Sequence, residues 1–209
     1  GVSRGTDTTA PYSLAFNSTA LANGSHTLVA RARDAAGNIG NSSSVAFSVN
    51  NPVTLVERLT NTSFESGSTG WSATSGVITK SNTYAAKTGT WKAWLNGFGS
   101  ANTEFVYQTV TIPSTATTAT LTFWLRVDSA ETTTTQAYDV LRVQVRNGSN
   151  TVLGTLATYS NLNETTTYVQ RTFDVSAWRG QTVRIYFEGV EGSQVATSFL
   201  IDDVSLKTN

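Results

Sequence analysis

Two stretches decide the fold: Thr120-Leu121-Thr122-Phe123-Trp124-Leu125-Arg126-Val127 and Val183-Arg184-Ile185-Tyr186-Phe187-Glu188. In each, apolar side chains recur at every second position, which is the period of a strand with one covered face. The same pattern continues outward, predicting strands over 105–112, 119–127, 138–146, 152–159, 168–175, 182–190 and 198–206. Asn147-Gly148-Ser149-Asn150 lies between two of them and reads as a hairpin turn. No ten-residue segment carries a 3.6-residue apolar period. About eight antiparallel strands in about 150 residues predict two packed sheets, a sandwich of jelly-roll type, with Trp124 assigned to its core.

The composition agrees. Thr and Ser make up roughly 28% of the 209 residues, and charged residues only 13%. Fourteen Lys and Arg balance fourteen Asp and Glu, so no long-range field gathers nucleic acid or an anionic membrane. Without Cys there is no thiolate nucleophile, disulfide or Cys-bound zinc, and the single His26 lacks partners for metal or triad chemistry. No apolar run reaches the ~18 residues of a membrane helix. The opening Gly1-Val2-Ser3-Arg4, without an initiator Met, reads as part of a longer protein, and a polar, Thr-rich β-sequence is expected to be secreted by a bacterium into the extracellular space.

A break falls at Asn50-Asn51-Pro52, where the alternating Val45, Phe47 and Val49 end in turn-formers. Before it, strands are expected over 12–16, 26–33 and 45–49. The expected organisation is a short unit at 1–51, a linker at 52–55 and the sandwich at 56–209.

Asp7-Thr8-Thr9-Ala10-Pro11-Tyr12-Ser13, Ala22-Asn23-Gly24-Ser25-His26-Thr27-Leu28 and Ala32-Arg33-Asp34-Ala35-Ala36-Gly37-Asn38 resemble the later part of bacterial immunoglobulin-like domains. The resemblance implies that residues 1–51 lack their opening strands and present exposed edges, which invite pairing with another chain. Asn61-Thr62-Ser63-Phe64-Glu65-Ser66-Gly67 with Gly70-Trp71, Phe123-Trp124-Leu125-Arg126, and Phe199-Leu200-Ile201-Asp202-Asp203-Val204-Ser205-Leu206 resemble the carbohydrate-binding, galactose-binding-like and MAM-like jelly rolls of secreted hydrolases. Together they imply an all-β chain: a partial immunoglobulin-like sandwich followed by an antiparallel jelly-roll sandwich.

The second resemblance implies a structural calcium held by Glu65 with Asp202 or Asp203. A hard cation would relieve the repulsion of two such carboxylates, although alternation turns Asp202 and Asp203 to opposite sheet faces. Asp128, Glu131 and Asp139 around Thr132-Thr133-Thr134-Thr135 form a second candidate calcium cluster, with Glu131 and Asp139 resembling an acid pair of peptidase-associated modules. The plainer reading of both sets is solvated or backbone-bonded acids. Glu104, Glu131, Glu188 and Glu191 could supply the two acids of a glycosidase, but no spacing selects a pair. A sugar platform would draw on Trp91, Trp94, Asn96 and Tyr84, with Trp91 and Trp94 on opposite faces. Arg142, Arg146, Arg171, Arg179 and Arg184 read as solvent-facing positions that form no basic stripe.

The expected function is a non-catalytic, calcium-stabilised accessory module of a secreted bacterial peptidase or glycosidase, holding the parent enzyme at its substrate or against its own catalytic domain. The alternatives are a true carbohydrate-binding module gripping polysaccharide, and a passive structural or adhesion segment. Neither a nucleic acid nor a membrane is an expected partner.

Overall fold

The computed structural model describes residues 1–193 and 195–209, which divide into two units, Gly1–Thr54 and Leu55–Asn209. The first contains β1 (Gly24–Leu28), β2 (Arg31–Arg33), β3 (Ile39–Asn41) and β4 (Val45–Val49), paired as two antiparallel ladders, β1 with β4 and β2 with β3. The stretch expected as one strand over 26–33 is interrupted at Val29 and Ala30, because the chain there leaves β4 for β3. Ala30 bonds Ser42 through both its N–H and its carbonyl. No strand forms over 12–16; Asp7 instead caps this loop by accepting from Thr9 N at 3.0 Å and Ser13 N at 2.7 Å. Among the described residues Val49 is the one buried apolar side chain of the unit.

The second unit is built from β5 (Val56–Glu57), β6 (Ser72–Ala73), β7 (Ile78–Thr79), β8 (Lys92–Asn96), β9 (Asn102–Thr111), β10 (Ala119–Ser129), β11 (Val140–Arg146), β12 (Val152–Ser160), β13 (Val169–Asp174), β14 (Thr182–Glu191) and β15 (Thr197–Thr208). One sheet runs β13-β10-β15-β8-β7, with β5 also on β15; the other runs β12-β11-β14-β9-β6. Every pairing is antiparallel. This is the predicted two-sheet sandwich. The expected hairpin turn joins β11 to β12, with Asn147 N donating to Thr151 O and Asn150 in the left-handed region at φ 67°.

The core follows from alternation. Leu121, Phe123, Leu125 and Val127 of β10 and Phe199, Ile201, Val204 and Leu206 of β15 point inward from one sheet; Val106, Leu141, Val143, Val183, Ile185 and Phe187 meet them from the other. Each side chain of this size stabilises the sandwich by about 1.5–3 kcal/mol on burial. Trp124 is a correction to the sequence reading. It occupies the opposite phase of β10, stands half-buried on the outer face, and carries the Lys87 ammonium 4.3 Å from its ring centroid.

A second correction concerns β15. Its register against β10 shifts between Thr122 and Trp124, and Asp203 has φ 47°, so β15 carries one extra residue there. Ile201 and Val204 both reach the core, and Asp202 and Asp203 both turn to the loop at 87–91. Thr88 donates to each, through N–H to Asp202 at 3.1 Å and through Oγ1 to Asp203 at 2.6 Å. The bulge therefore defeats the simple alternation that would have sent these two acids to opposite faces.

At one end of the sandwich the inner face turns polar. Glu104 is the register partner of Gly189, and Glu191 lies two residues further along β14 on the same face. Consecutive N–H groups of the β8–β9 turn converge on these acids: Asn96 N on Glu104 at 2.7 Å, then Gly97, Phe98 and Gly99 on Glu191 at 2.8–3.1 Å. Asn96 and Gly97 adopt left-handed backbone, φ 62° and 96°, to aim them. No cation contacts either acid among the described residues. Burial first, and the charge of Glu191 after it, push the Glu104 carboxyl above its ordinary 4.5, partly offset by the Asn96 N–H. A folded-state pKa raised in this way contributes stability that is fully present below the unfolded value and lost as pH rises through the folded one. Glu104→Gln keeps the acceptor for Asn96 N and removes the charge. Its melting temperature is expected to exceed wild type at pH 7.5, by about 2–4 °C for each ~1 kcal/mol gained, and to match wild type near pH 4. Equal offsets at both pH values in thermal melts would show that ionisation of Glu104 carries no cost.

Candidate functional site

The outer face of the five-stranded sheet is a grid fixed by register. Arg142, Glu188 and Phe105 form one row across β11, β14 and β9; Gln144, Tyr186 and Tyr107 form the next, extended by Ser72 of β6; Arg146, Arg184 and Thr109 form the third. These positions alternate with the core residues of the same strands, so burying Val183, Ile185 and Phe187 necessarily presents Arg184, Tyr186 and Glu188 outward.

The aromatics pack against one another. Tyr107 and Tyr186 are 5.2 Å apart with ring planes 9° from parallel, and Phe105 stacks 5.7 Å from Tyr186 and 6.0 Å from Tyr107. Rings that close and that parallel cannot lie side by side flat on the sheet; they stand up from it with faces against faces. The Arg146 guanidinium covers Tyr186 at 3.8 Å from the ring centroid, and Arg184 lies 4.7 Å from the Tyr107 centroid. Tyr186 is thereby only 4% exposed, and burial raises its phenol pKa.

Polar groups knit the rows. Arg146 donates to Gln144 Oε1 from Nε at 2.8 Å and from a terminal nitrogen at 2.5 Å, and to Glu188 at 2.8 Å; Arg142 reaches the other Glu188 oxygen at 3.2 Å. Gln144 in turn donates to Thr155 of β12 at 3.2 Å, and Arg184 to Asn150 at 2.6 Å. The reading of these arginines as solvent-facing is corrected at Arg146, which is 9% exposed; Arg142, Arg146 and Arg184 share one face of the sheet.

At the β6 edge the grid opens into a recess of about 830 Å³ that includes Phe105, Tyr107, Trp71, Trp91 and the Ser66–Ser68 turn. From Ser72 to Thr155 the face spans four interstrand steps, about 19 Å at ~4.8 Å each, the length of a short oligosaccharide.

The sequence candidates are distributed differently. Trp91 lines the recess. Tyr84 and Trp94 meet edge to face at 5.1 Å on the outer side of the other sheet, where Tyr84 donates to Asp128 at 2.8 Å and Arg126 pairs with the same carboxylate at 2.7 Å. Asn96 is 3% exposed and turns its amide inward over Gly189. The four candidate ligand residues thus occupy three separate places. Phe105, Tyr107, Gln144 and Tyr186 are absent from the sequence candidates for a sugar platform, and Glu188 and Arg146 are considered there only for other roles; the available signal is the Arg184-Tyr186-Glu188 phase of β14 opposite the apolar Val183, Ile185 and Phe187.

Among the acids, Glu65 and Asp202 grip the same loop. Glu65 accepts from Thr90 N at 2.8 Å and Trp91 N at 2.7 Å, and these N–H groups, Trp91's foremost, lower its pKa. Gly89, at φ 60°, admits the carboxylate where any Cβ would collide with it. Asp202 is fully buried, accepts from Lys87 N, Thr88 N and Asp203 N, and burial pushes its carboxyl up to about 7. In the second cluster Asp128 is taken by Arg126 and Tyr84. Glu131 and Asp139 instead both accept from the segment after β14, from Val195 N at 3.4 Å and Gly192 N at 2.7 Å. Asp139 Oδ2 is buried without a partner among the described residues. Among the described residues no three acidic or His side chains come within reach of one metal ion, so a cation at either place would draw its remaining oxygens from hydroxyls and backbone carbonyls.

No family model matches the sequence, and no curated protein matches it. Among solved structures the chain is similar to TmCBM61 in complex with β-1,4-galactotriose, with a TM-score of 0.54 and 14% identity over 74% of this chain and 99% of that one. It also overlaps the CBM22-1 xylan-binding domain of Xyn10C from Paenibacillus barcinonensis (TM-score 0.44, 16% identity, 73% and 92% covered) and a family 16 carbohydrate-binding module (0.45, 20%, 71% and 97%). At such identities the likeness to the first is one of fold: both are antiparallel β-sandwiches.

Proposed function

We propose that residues 55–209 bind a polysaccharide across the outer face of the five-stranded sheet, as a non-catalytic accessory module of a secreted bacterial hydrolase. The observation that carries this reading is the grid itself. Stacked aromatic edges, an amide and an Arg–Glu–Arg network hold fixed donors and acceptors along a face of oligosaccharide length, beside an aromatic recess. Preorganised polar groups of this kind suit hydroxyl-rich ligands, because little side-chain freedom is left to lose on binding. The galactotriose carried by the similar sandwich is in keeping with it. Attachment would raise the concentration of a linked catalytic domain, peptidase or glycosidase, at its substrate. Residues 1–51 fit a spacer of immunoglobulin-like origin whose open ladder edges could pair with another chain.

Affinity electrophoresis against β-1,4-galactan, xylan and pectin tests the reading. Retardation by at least one polymer is expected, and Tyr107→Ala should weaken it about tenfold through loss of the ring that spans recess and grid. A folded protein that none of the polymers retards would overturn it.

The module would also be stabilised by calcium held by Glu65 with Asp202 or Asp203 at the 87–91 loop, with hydroxyls and backbone carbonyls completing the site, and with Glu131 and Asp139 as a second location. The buried Asp202 carboxyl and the Asp139 Oδ2, which has no partner among the described residues, support the two places. Bound calcium supplies the positive charge that lets these carboxylates stay ionised where they are. At free calcium a hundredfold above Kd the gain is about 2.7 kcal/mol, so chelator is expected to lower the melting temperature by about 5–10 °C. An unchanged melt, with no metal found by elemental analysis, would remove calcium from the proposal.

A further inference from the structure

The grid carries more positive charge than it neutralises. Arg142, Arg146 and Arg184 stand on it, and among the described residues Glu188 is the one carboxylate in contact with any of them. That carboxylate is divided between Arg142 and Arg146. Among the described residues Arg184 has only the neutral Asn150 amide, and its Nε is buried with no partner. Arg146 and Arg184 are also direct register partners on neighbouring strands, an arrangement of like charges that destabilises a sheet. Cation–π contact with Tyr186 and Tyr107 holds the two guanidinium planes against rings but leaves their charge in place.

Resting on the reading of this face as a polysaccharide site, we propose that its ligand is an acidic polysaccharide bearing carboxylate groups, a uronic-acid polymer. Arg184 and Arg142 take the carboxylates, while Tyr107 and the Trp91 recess take sugar rings. Guanidinium suits this role because its planar fork matches a carboxylate and its charge persists at every working pH. Arg142 is available: its side chain is 39% exposed, and its bond to Glu188 is the longer of the pair.

The test uses the full chain and four soluble polymers: polygalacturonate, the same polymer fully methyl-esterified, neutral β-1,4-galactan and polyglutamate. Polygalacturonate is expected to bind about tenfold or more tighter than its ester, the difference one charge-assisted contact makes. Arg184→Gln should remove about tenfold, Arg184→Lys less, and the exposed Arg142→Gln provides a second variant whose melting temperature should stay near wild type. Equal binding of polygalacturonate and its ester, or polyglutamate binding as tightly as polygalacturonate, would overturn the proposal. Tyr107-dependent binding of the neutral polymers alone would sink the acidic ligand and leave the polysaccharide site standing. Failure of a folded chain to bind any of the three polysaccharides would sink the acidic ligand, and failure with xylan as well would sink both.

Discussion

The unbroken register of β9 against β14, from Asn102 opposite Glu191 to Thr111 opposite Thr182, is the constraint on which the rest of the sandwich depends. Side chains alternate between faces along both strands, so this one alignment settles two surfaces at once. Inward it sets Val106, Ile185 and Phe187 into the core, with Glu104 and Glu191 at its polar end. Outward it lays Phe105, Tyr107, Arg184, Tyr186 and Glu188 side by side. A slip of one residue in either strand would move its rings inside and its valines out, losing core and grid together. Stability and the candidate function are therefore two consequences of the same set of backbone hydrogen bonds.

The long strands were legible because burial on one face writes a period of two into β10 and β14. β5, β6 and β7 were not, since two-residue strands are too short to carry any period. The β15 bulge was hidden for a different reason. Ile201-Asp202-Asp203-Val204 reads as a strand with a polar middle, and only the shifted partner register reveals that both acids face the 87–91 loop. Trp124 was misplaced because an apolar ring was assumed to seek the core, whereas a cation over its face makes the outer side an adequate home. The grid was half legible. Each strand shows its own polar and aromatic phase, but the meeting of Gln144, Tyr186 and Tyr107 in one row is a property of pairing between distant segments.

The arrangement of charge explains how a chain with no net charge presents a cationic face. Its carboxylates are largely consumed in fixing loops. Glu57 accepts from Arg58 N, Leu59 N and Leu206 N, Glu65 from Thr90 N and Trp91 N, and Asp202 from Lys87 N and Thr88 N. Glu191 does the same for the β8–β9 turn, and among the described residues only Asp128 and Glu188 enter salt bridges. Several cations settle over aromatic rings instead: Arg146 on Tyr186, Arg184 on Tyr107, Arg171 on Tyr159 and Lys87 on Trp124.

This division has different consequences at different ranges. Beyond about 8 Å, the screening length at physiological salt, the field of any single charge on this face is largely lost to counter-ions. Within contact distance the buried acids and ring-bound cations do not cancel, because a carboxylate saturated by N–H groups at a loop cannot also neutralise a guanidinium on the sheet. A ligand laid on the grid would meet Arg142, which shares Glu188 with Arg146, and Arg184, which among the described residues contacts no carboxylate. If the proposed polysaccharide binds here, discrimination is decided after encounter, by how well its own groups complete those unfinished pairs.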